Sequence, residues 1–398
     1  MFGMNKRIYL DYASATPVLP SAARAVKDAS RYFGNPGAIH HEAVAAQRVL
    51  ESSRERIALE LGCKTRELIF TSGLTEANNL AVIGRARFLE RTRRTLTSTH
   101  WIVSSIEHAS VLECFAEIER MGGVVSHVEP EPSGRITADS VVRKLRPETV
   151  FVSVGWGNNE IGTMQPLAAI AQSIRTHERE HKTTVLFHTD AGQAPIYKAV
   201  NVHTLGVDLF SLCSGKLYGP RGIGALYASN RAELAPILFG GNQERGLRPG
   251  TQEVALSAGF AEAFVCITRE REREAARLRK LRDDLTRKIV ARIPNAIING
   301  DLTHTLPHML NVSIPEINSE YLVLALDRMG IALSTKSACR EGESHSHVVA
   351  SLGGPPWRAH NTLRFSLGRD TTARDIQRTI EILGTLLQGE ALNFKASP

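Results

Sequence analysis

Lys216 closes the run Ser211-Leu212-Cys213-Ser214-Gly215-Lys216, and twenty-six positions earlier Asp190 closes Phe187-His188-Thr189-Asp190. Both runs read as buried strands that end on a residue able to ionise. An amine and a carboxylate at the ends of neighbouring strands suit one kind of chemistry. The amine condenses with an aldehyde as a Schiff base, and the carboxylate keeps a pyridine nitrogen protonated so that the ring accepts electrons. That is what an enzyme using pyridoxal 5'-phosphate requires. A lone aspartate is ordinarily a cap or a solvated charge, and a lone lysine ordinarily lies on the surface. The pair, in these contexts, points to cofactor chemistry.

Two further segments carry chemistry of their own. Thr71-Ser72-Gly73-Leu74-Thr75 follows an apolar run and opens a helical pattern. The glycine permits a tight turn, and the free N–H groups of a helix start favour an anion such as a phosphate. Cys339 lies in Ser334-Thr335-Lys336-Ser337-Ala338-Cys339-Arg340-Glu341-Gly342, a polar stretch unsuited to a core. Lys336 and Arg340 beside it favour the thiolate, the nucleophilic form. His345 and His347 nearby are too few to argue for a metal site, and none is expected.

These residues need a frame. Short β-branched runs at 68–71, 101–104, 124–128, 150–154, 184–188, 209–212 and 224–228 alternate with amphipathic stretches such as 75–89, 109–121 and 167–178. Such alternation predicts an α/β fold, a mostly parallel sheet covered by helices on both faces. Ligands bind such sheets at the carboxyl ends of the strands. The 72–75 turn, Asp190 and Lys216 all fall on that edge. After about residue 252 the pattern changes to long helices and a few strands, including 309–314 and 331–334, which reads as a smaller α+β domain.

A chain of 398 residues, 42% hydrophobic and 22% charged, is expected to form two globular domains. It has no signal-peptide pattern at its start and no run of about 18 apolar residues, so a cytoplasmic protein without membrane association is expected. Five scattered cysteines without CxxC spacing suggest neither zinc nor a disulfide framework. The net charge of +7 is concentrated in 269–288, which holds nine basic and five acidic residues. Leu278, Leu281, Leu285 and Ile289 recur there on one helical face, leaving the charges on a wet opposite face. Direct nucleic-acid binding is not expected.

In order along the chain come Tyr9-Leu10-Asp11-Tyr12-Ala13, Gly34-Asn35-Pro36, Phe70-Thr71-Ser72-Gly73-Leu74-Thr75-Glu76, Glu107-His108, Asn158-Asn159-Glu160-Ile161-Gly162 and His188-Thr189-Asp190. Glu244-Arg245-Gly246, Arg248-Pro249-Gly250-Thr251, Ser337-Ala338-Cys339 and Arg364-Phe365-Ser366-Leu367-Gly368-Arg369 complete the set. With these blocks the chain resembles the cysteine desulfurases, pyridoxal phosphate enzymes of the class V aminotransferase type, over nearly its whole length. The resemblance implies fold type I with a seven-stranded sheet, a large domain at 19–261, a small domain formed by 1–18 and 262–398, and a homodimer. It implies conversion of L-cysteine to L-alanine with a persulfide left on Cys339 for an acceptor protein. Iron–sulfur cluster assembly and tRNA thiolation are among the pathways such donors serve. Twenty-four residues separate Cys339 from Arg364, as in the long-loop housekeeping branch.

The same resemblance assigns Lys216, Cys339 and His108 to catalysis, with His108 stacking on the cofactor ring. Leu74, Thr75, Asn159, Asp190, Gln193, Ser214 and Thr251 become cofactor contacts, Thr251 from the partner subunit. Asn159 and Arg364 hold the substrate, Arg364 through its α-carboxylate. Relatives usually place a serine and a histidine at 213 and 215 to touch phosphate. Cys213 and Gly215 stand there instead, so weakened cofactor retention is expected. A selenocysteine lyase, or a degenerate member acting as a scaffold for sulfur-carrying proteins, remains open from these residues.

Overall fold

A computed structural model describes residues 7–92, 95–336 and 345–388. Its twelve strands are β1 (Ile8–Tyr9), β2 (Leu68–Thr71), β3 (His100–Ser104), β4 (Val124–Val128), β5 (Thr149–Ser153), β6 (Leu186–Asp190), β7 (Leu209–Cys213), β8 (Gly224–Ala228), β9 (Ile297–Asn299), β10 (Met309–Ser313), β11 (Ile331–Ala332) and β12 (Thr362–Ser366).

Seven of them form one sheet in the order β2-β8-β7-β6-β5-β3-β4. Every pair from β7 to β4 is parallel, and β8 alone runs against both its neighbours. The expected mostly parallel seven-stranded sheet is therefore what the chain builds. Strands β3, β5 and β7 are buried at every position, as required when helices cover both faces. Edge strand β2 shows the pleat: Leu68 and Phe70 enter one core cluster, and Ile69 between them enters another. Edge strand β4 is half exposed, with Val124 turned to solvent.

Two expected strands of the large sheet are displaced along the chain by one or two residues. The apolar run at 184–188 yields β6 at Leu186–Asp190, and 150–154 yields β5 at Thr149–Ser153. The polar residues Asp190 and Thr149 carry ladder bonds that hydrophobicity does not reveal.

The second sheet is antiparallel, β12-β10-β9, and Arg364 in β12 pairs with Asn311 in β10. The N-terminal segment joins this part: β1 pairs in parallel with β11, and Asp11 bridges to Ser366. One apolar cluster runs from Ile8 through the large sheet to Leu383, so a continuous core ties both sheets together.

A helix of 39 residues, Val254–Arg292, is about 58 Å long at the usual rise. It packs against helices Pro20–Ala29, His41–Leu61 and Ala373–Gln388. Leu278, Leu285 and Ile289 are buried and Leu281 is half-buried against the core. The buried stripe is not wholly apolar, however. Arg271 turns inward to the Pro195 carbonyl, and Arg282 is buried against Asp283. Long arginine stems make that possible by covering apolar surface while the head finds an oxygen.

The anion-favouring turn rests on a close backbone approach. Gly224 opens β8 directly against Gly73, and a Cβ at 224 would stand 2.8 Å from the Gly73 Cα and carbonyl carbon and from the Leu212 oxygen. None of those backbone atoms can yield without moving β2 or β7. Gly224→Ala is expected to destabilise the protein by about 1–3 kcal/mol, read as a lower urea midpoint.

Candidate active site

Lys216 ends a 3-10 turn, Ser214–Lys216, that leaves β7 at its carboxyl end. Its Nζ donates to the Ala13 oxygen at 2.5 Å and the Ser14 oxygen at 2.7 Å. Gln193 Nε2 donates to that same Ala13 oxygen at 2.9 Å. The N-terminal strap thus lies across the end of the large sheet and receives both side chains.

Asp190 is the last residue of β6. Its Oδ2 accepts from Asn78 Nδ2 at 2.8 Å, and its Oδ1 accepts from the Gly192 amide at 2.9 Å. Asn78 also donates to Ser110 Oγ at 2.9 Å, and Ser110 Oγ lies 2.9 Å from His108 Nδ1. A hydrogen-bonded chain therefore links Asp190 to His108 through two residues that sequence reasoning missed. The available signal was Asn78 itself, a polar residue on the buried stripe of helix Leu74–Arg91 with Ala77 and Ala81. His108 caps helix Ala109–Arg120, its Nδ1 accepting the Ser110 amide at 3.1 Å.

From the opposite wall comes Arg364, 1% exposed. One terminal nitrogen donates to the Asn159 carbonyl at 3.0 Å; the other donates to Asp11 Oδ1 at 2.8 Å and to Ser14 Oγ at 2.6 Å. Its buried Nε has no partner among the described residues.

A single cavity is lined by Leu74, Thr75, His108, Asn159, Asp190, Gln193, Lys216 and Arg364, together with Ala13, Ser14 and Glu107. These are residues from both sheets. The set fits pyridoxal phosphate. An amine and a carboxylate stand at neighbouring strand ends, and an 18-residue helix opens into the cavity at Leu74. A Cβ at Gly73 would meet nothing within 4 Å, so the space over that helix start is clear for an anion. Arg364 keeps one donor nitrogen, Nε, uncommitted among the described residues.

Other candidates are placed elsewhere. Ser214 does not line the cavity: its Oγ is buried without a partner among the described residues and faces Gly219, where a Cβ would come 2.1 Å from it. The 3-10 turn points this side chain toward Gly219, away from the cavity where a cofactor contact was expected. Cys213 is buried beneath the turn, and burial pushes its thiol up to about 11. Thr251 is exposed and outside the cavity of its own chain. Cys339 lies outside the described residues.

The chain is similar to known proteins over nearly its whole length. The family described as aminotransferase class-V matches residues 8–379. A protein named cysteine desulfurase IscS from Dictyoglomus turgidum is 36% identical over 387 residues, covering 97% of this chain and 95% of that protein. A solved NifS-like protein superposes with a TM-score of 0.88 at 29% identity, covering 96% of this chain and 99% of that one. A structure titled SspA in complex with cysteine gives 0.76 at 32% identity, with 90% and 98% covered. The chain belongs to the class-V aminotransferase family.

Behind the site the electrostatics are set by burial. His188 is enclosed between Ser153 Oγ at 2.8 Å and Ser211 Oγ at 3.0 Å, and burial drives its imidazole down to about 3. His308 is likewise held down to about 3 by burial, with Arg364 and Arg282 adding to it. Its ring stacks on Tyr197 at 4.5 Å, and neither nitrogen has a partner among the described residues. Between pH 6.5 and about 3 the unfolded chain binds these protons and the native chain does not. Stability therefore falls as acid is added, by up to about 1.4 kcal/mol per pH unit for each imidazole. His308→Phe is expected to flatten the drop in urea midpoint between pH 7 and pH 5. An equally steep drop in that variant would show that this ring is not the titrating group.

Proposed function

We infer that this chain is a pyridoxal phosphate-dependent cysteine desulfurase, converting L-cysteine to L-alanine and keeping the sulfur as an enzyme persulfide. The observation that carries the reading is the meeting of Lys216, Asp190 and Arg364 in one cavity. Its relatives by sequence and structure, named as desulfurases or NifS-like proteins, support it. Atoms balance: the Cβ–S bond of cysteine breaks, sulfur is added to a protein thiol to give S–SH, and a proton replaces sulfur on the product.

Pyridoxal phosphate, when bound, supplies the electron sink that makes the substrate Cα–H acidic and the Cβ–S bond cleavable. The residues do the rest. Asp190 holds negative charge in a fixed direction, because Asn78 and the Gly192 amide grip both its oxygens. Thr75 and the amides at the helix start serve a phosphate. Arg364 takes the α-carboxylate of cysteine and fixes which bond faces Lys216. Lys216 removes the Cα proton once its amine is displaced from Ala13 and Ser14. His108 carries a second proton: the Ser110 amide occupies Nδ1, so the neutral ring bears its hydrogen on Nε2. Cys339 receives the sulfur and passes it to an acceptor protein. The working unit in this reading is a homodimer. Thr251 stands exposed outside its own cavity, where a second subunit could use it. No helix among the described residues is long and apolar enough to cross a membrane.

Alanine and sulfur should form from L-cysteine in equal amounts with a thiol reductant present. Cys339→Ala should lower sulfide release at least 100-fold without changing the bound-cofactor absorbance. Undiminished sulfide from that variant would remove the protein thiol from the scheme. Arg364→Lys should raise KM for cysteine about tenfold or more, since a point charge replaces a fork.

Cofactor retention tests the Cys213 and Gly215 departure separately. Losing hydrogen bonds to a charged group costs roughly 1.5–3 kcal/mol each. The double variant Cys213→Ser with Gly215→His should therefore hold pyridoxal phosphate at least tenfold more tightly than the native chain. Equal loss of cofactor on dialysis by both would contradict this.

A further inference from the structure

Glu107 is a buried carboxyl in the cavity wall to which the chemistry above gives no task. It follows β3 and immediately precedes His108. Its Oε1 accepts the Gly155 amide at 2.8 Å. Its Oε2 occupies the space a side chain at 155 would need, since a Cβ there would stand 2.8 Å from it. The carboxyl is thus laid flat against the start of the loop that carries Asn159. The backbone carbonyl of Glu107 accepts from His347 Nε2 at 3.1 Å, tying the same residue to the C-terminal part.

The charges around this group are unfavourable for a second anion. Asp190 from β6 is close enough to repel it, and Ser104 from β3 contributes a hydrogen bond. His108 is its chain neighbour and His347 meets its carbonyl. Lys216 and Arg364 line other walls of the cavity, with Lys216 on the Ala13 and Ser14 carbonyls and Arg364 on Asp11. No cation pairs with the Glu107 carboxyl among the described residues. Burial without a cation disfavours a second anion in this wall.

The geometry points to Glu107 working as a neutral carboxylic acid, a positioning residue that pins the Gly155–Asn159 loop in the cavity wall. Burial first, and the charge of Asp190 after it, push the Glu107 carboxyl up to about 8. The same hydrogen-bonded position beside Gly155 can be filled by an amide, whose oxygen accepts that N–H equally well. An aliphatic side chain of similar length leaves the buried amide without an acceptor.

The sign of the pH effect follows. Below 4.5 both folded and unfolded chains keep this proton. From there to about 8 only the folded chain does, so the native form loses stability as pH rises through that window. Relative to Glu107→Gln, the wild-type apo-protein should therefore lose melting temperature steadily from pH 5 to pH 8. This arm is independent of the desulfurase reading, on which only the rate arm rests. In the rate arm, Glu107→Gln should keep most of the wild-type kcat/KM for cysteine at pH 7 and hold it further into the alkaline range. Glu107→Leu should lose at least tenfold, and the glutamine variant decides the matter if the leucine variant fails to fold. A constant melting-temperature difference between wild type and Glu107→Gln across pH 5–8 would overturn the proposal. So would a tenfold or greater loss of kcat/KM in Glu107→Gln at pH 7.

Discussion

The contact on which the site depends is the crossing of the N-terminal strap, residues 11–14, over the end of the large sheet. Ala13 and Ser14 offer their carbonyls to Lys216, and Ala13 also receives Gln193. Asp11 and Ser14 receive Arg364 from β12 through their side chains. The strap is itself fixed, by β1 against β11 and by the Ala13 amide on Ser366 Oγ. Four residues thereby set the separation between an amine on one sheet and a guanidinium on the other. Their carbonyls occupy an ammonium that would otherwise be costly to place half-buried. The same carbonyls can be given up when the amine takes another partner.

The far wall is organised by hydrogen bonds instead of by crossing strands. Asp190, Asn78, Ser110 and His108 form an unbroken series from β6 through two helices. Orientation of the imidazole and direction of the carboxylate are then one property. Beneath them, burial pushes the His188 imidazole down and the Glu107 carboxyl up, each toward its neutral form. The site is thus built from few charges, each opposed or fixed, with neutral polar groups filling the space between. That economy matters in a buried cavity, where an uncompensated charge is far more costly than an unmade neutral hydrogen bond.

Much of this was legible in the amino-acid order. Alternation of short β-branched runs with amphipathic stretches located all seven strands of the large sheet, and the carboxyl-edge rule brought Asp190, Lys216 and the 72–75 turn to one place. What stayed hidden depends on side-chain direction. Spacing places Ser214 beside Lys216, yet the 3-10 turn aims its hydroxyl at Gly219. Asn78 looks like one more polar helix residue until the sheet packs against it. Arg271 and Arg282 fall on the leucine stripe, seven residues before Leu278 and four after it, and the folded neighbours Pro195 and Leu306 supply carbonyl oxygens for them there. Arg364 was identified by likeness to a family, since nothing in its own segment announces a carboxylate partner.

The account stands on the amine of Lys216 being the group that captures the aldehyde of the cofactor. Borohydride reduction of the loaded protein, followed by digestion and mass spectrometry, measures this directly. The predicted result is a phosphopyridoxyl adduct on the peptide containing Lys216, absent when that residue is replaced by alanine. An adduct on another lysine, or no adduct in a protein that retains bound cofactor, would contradict the assignment.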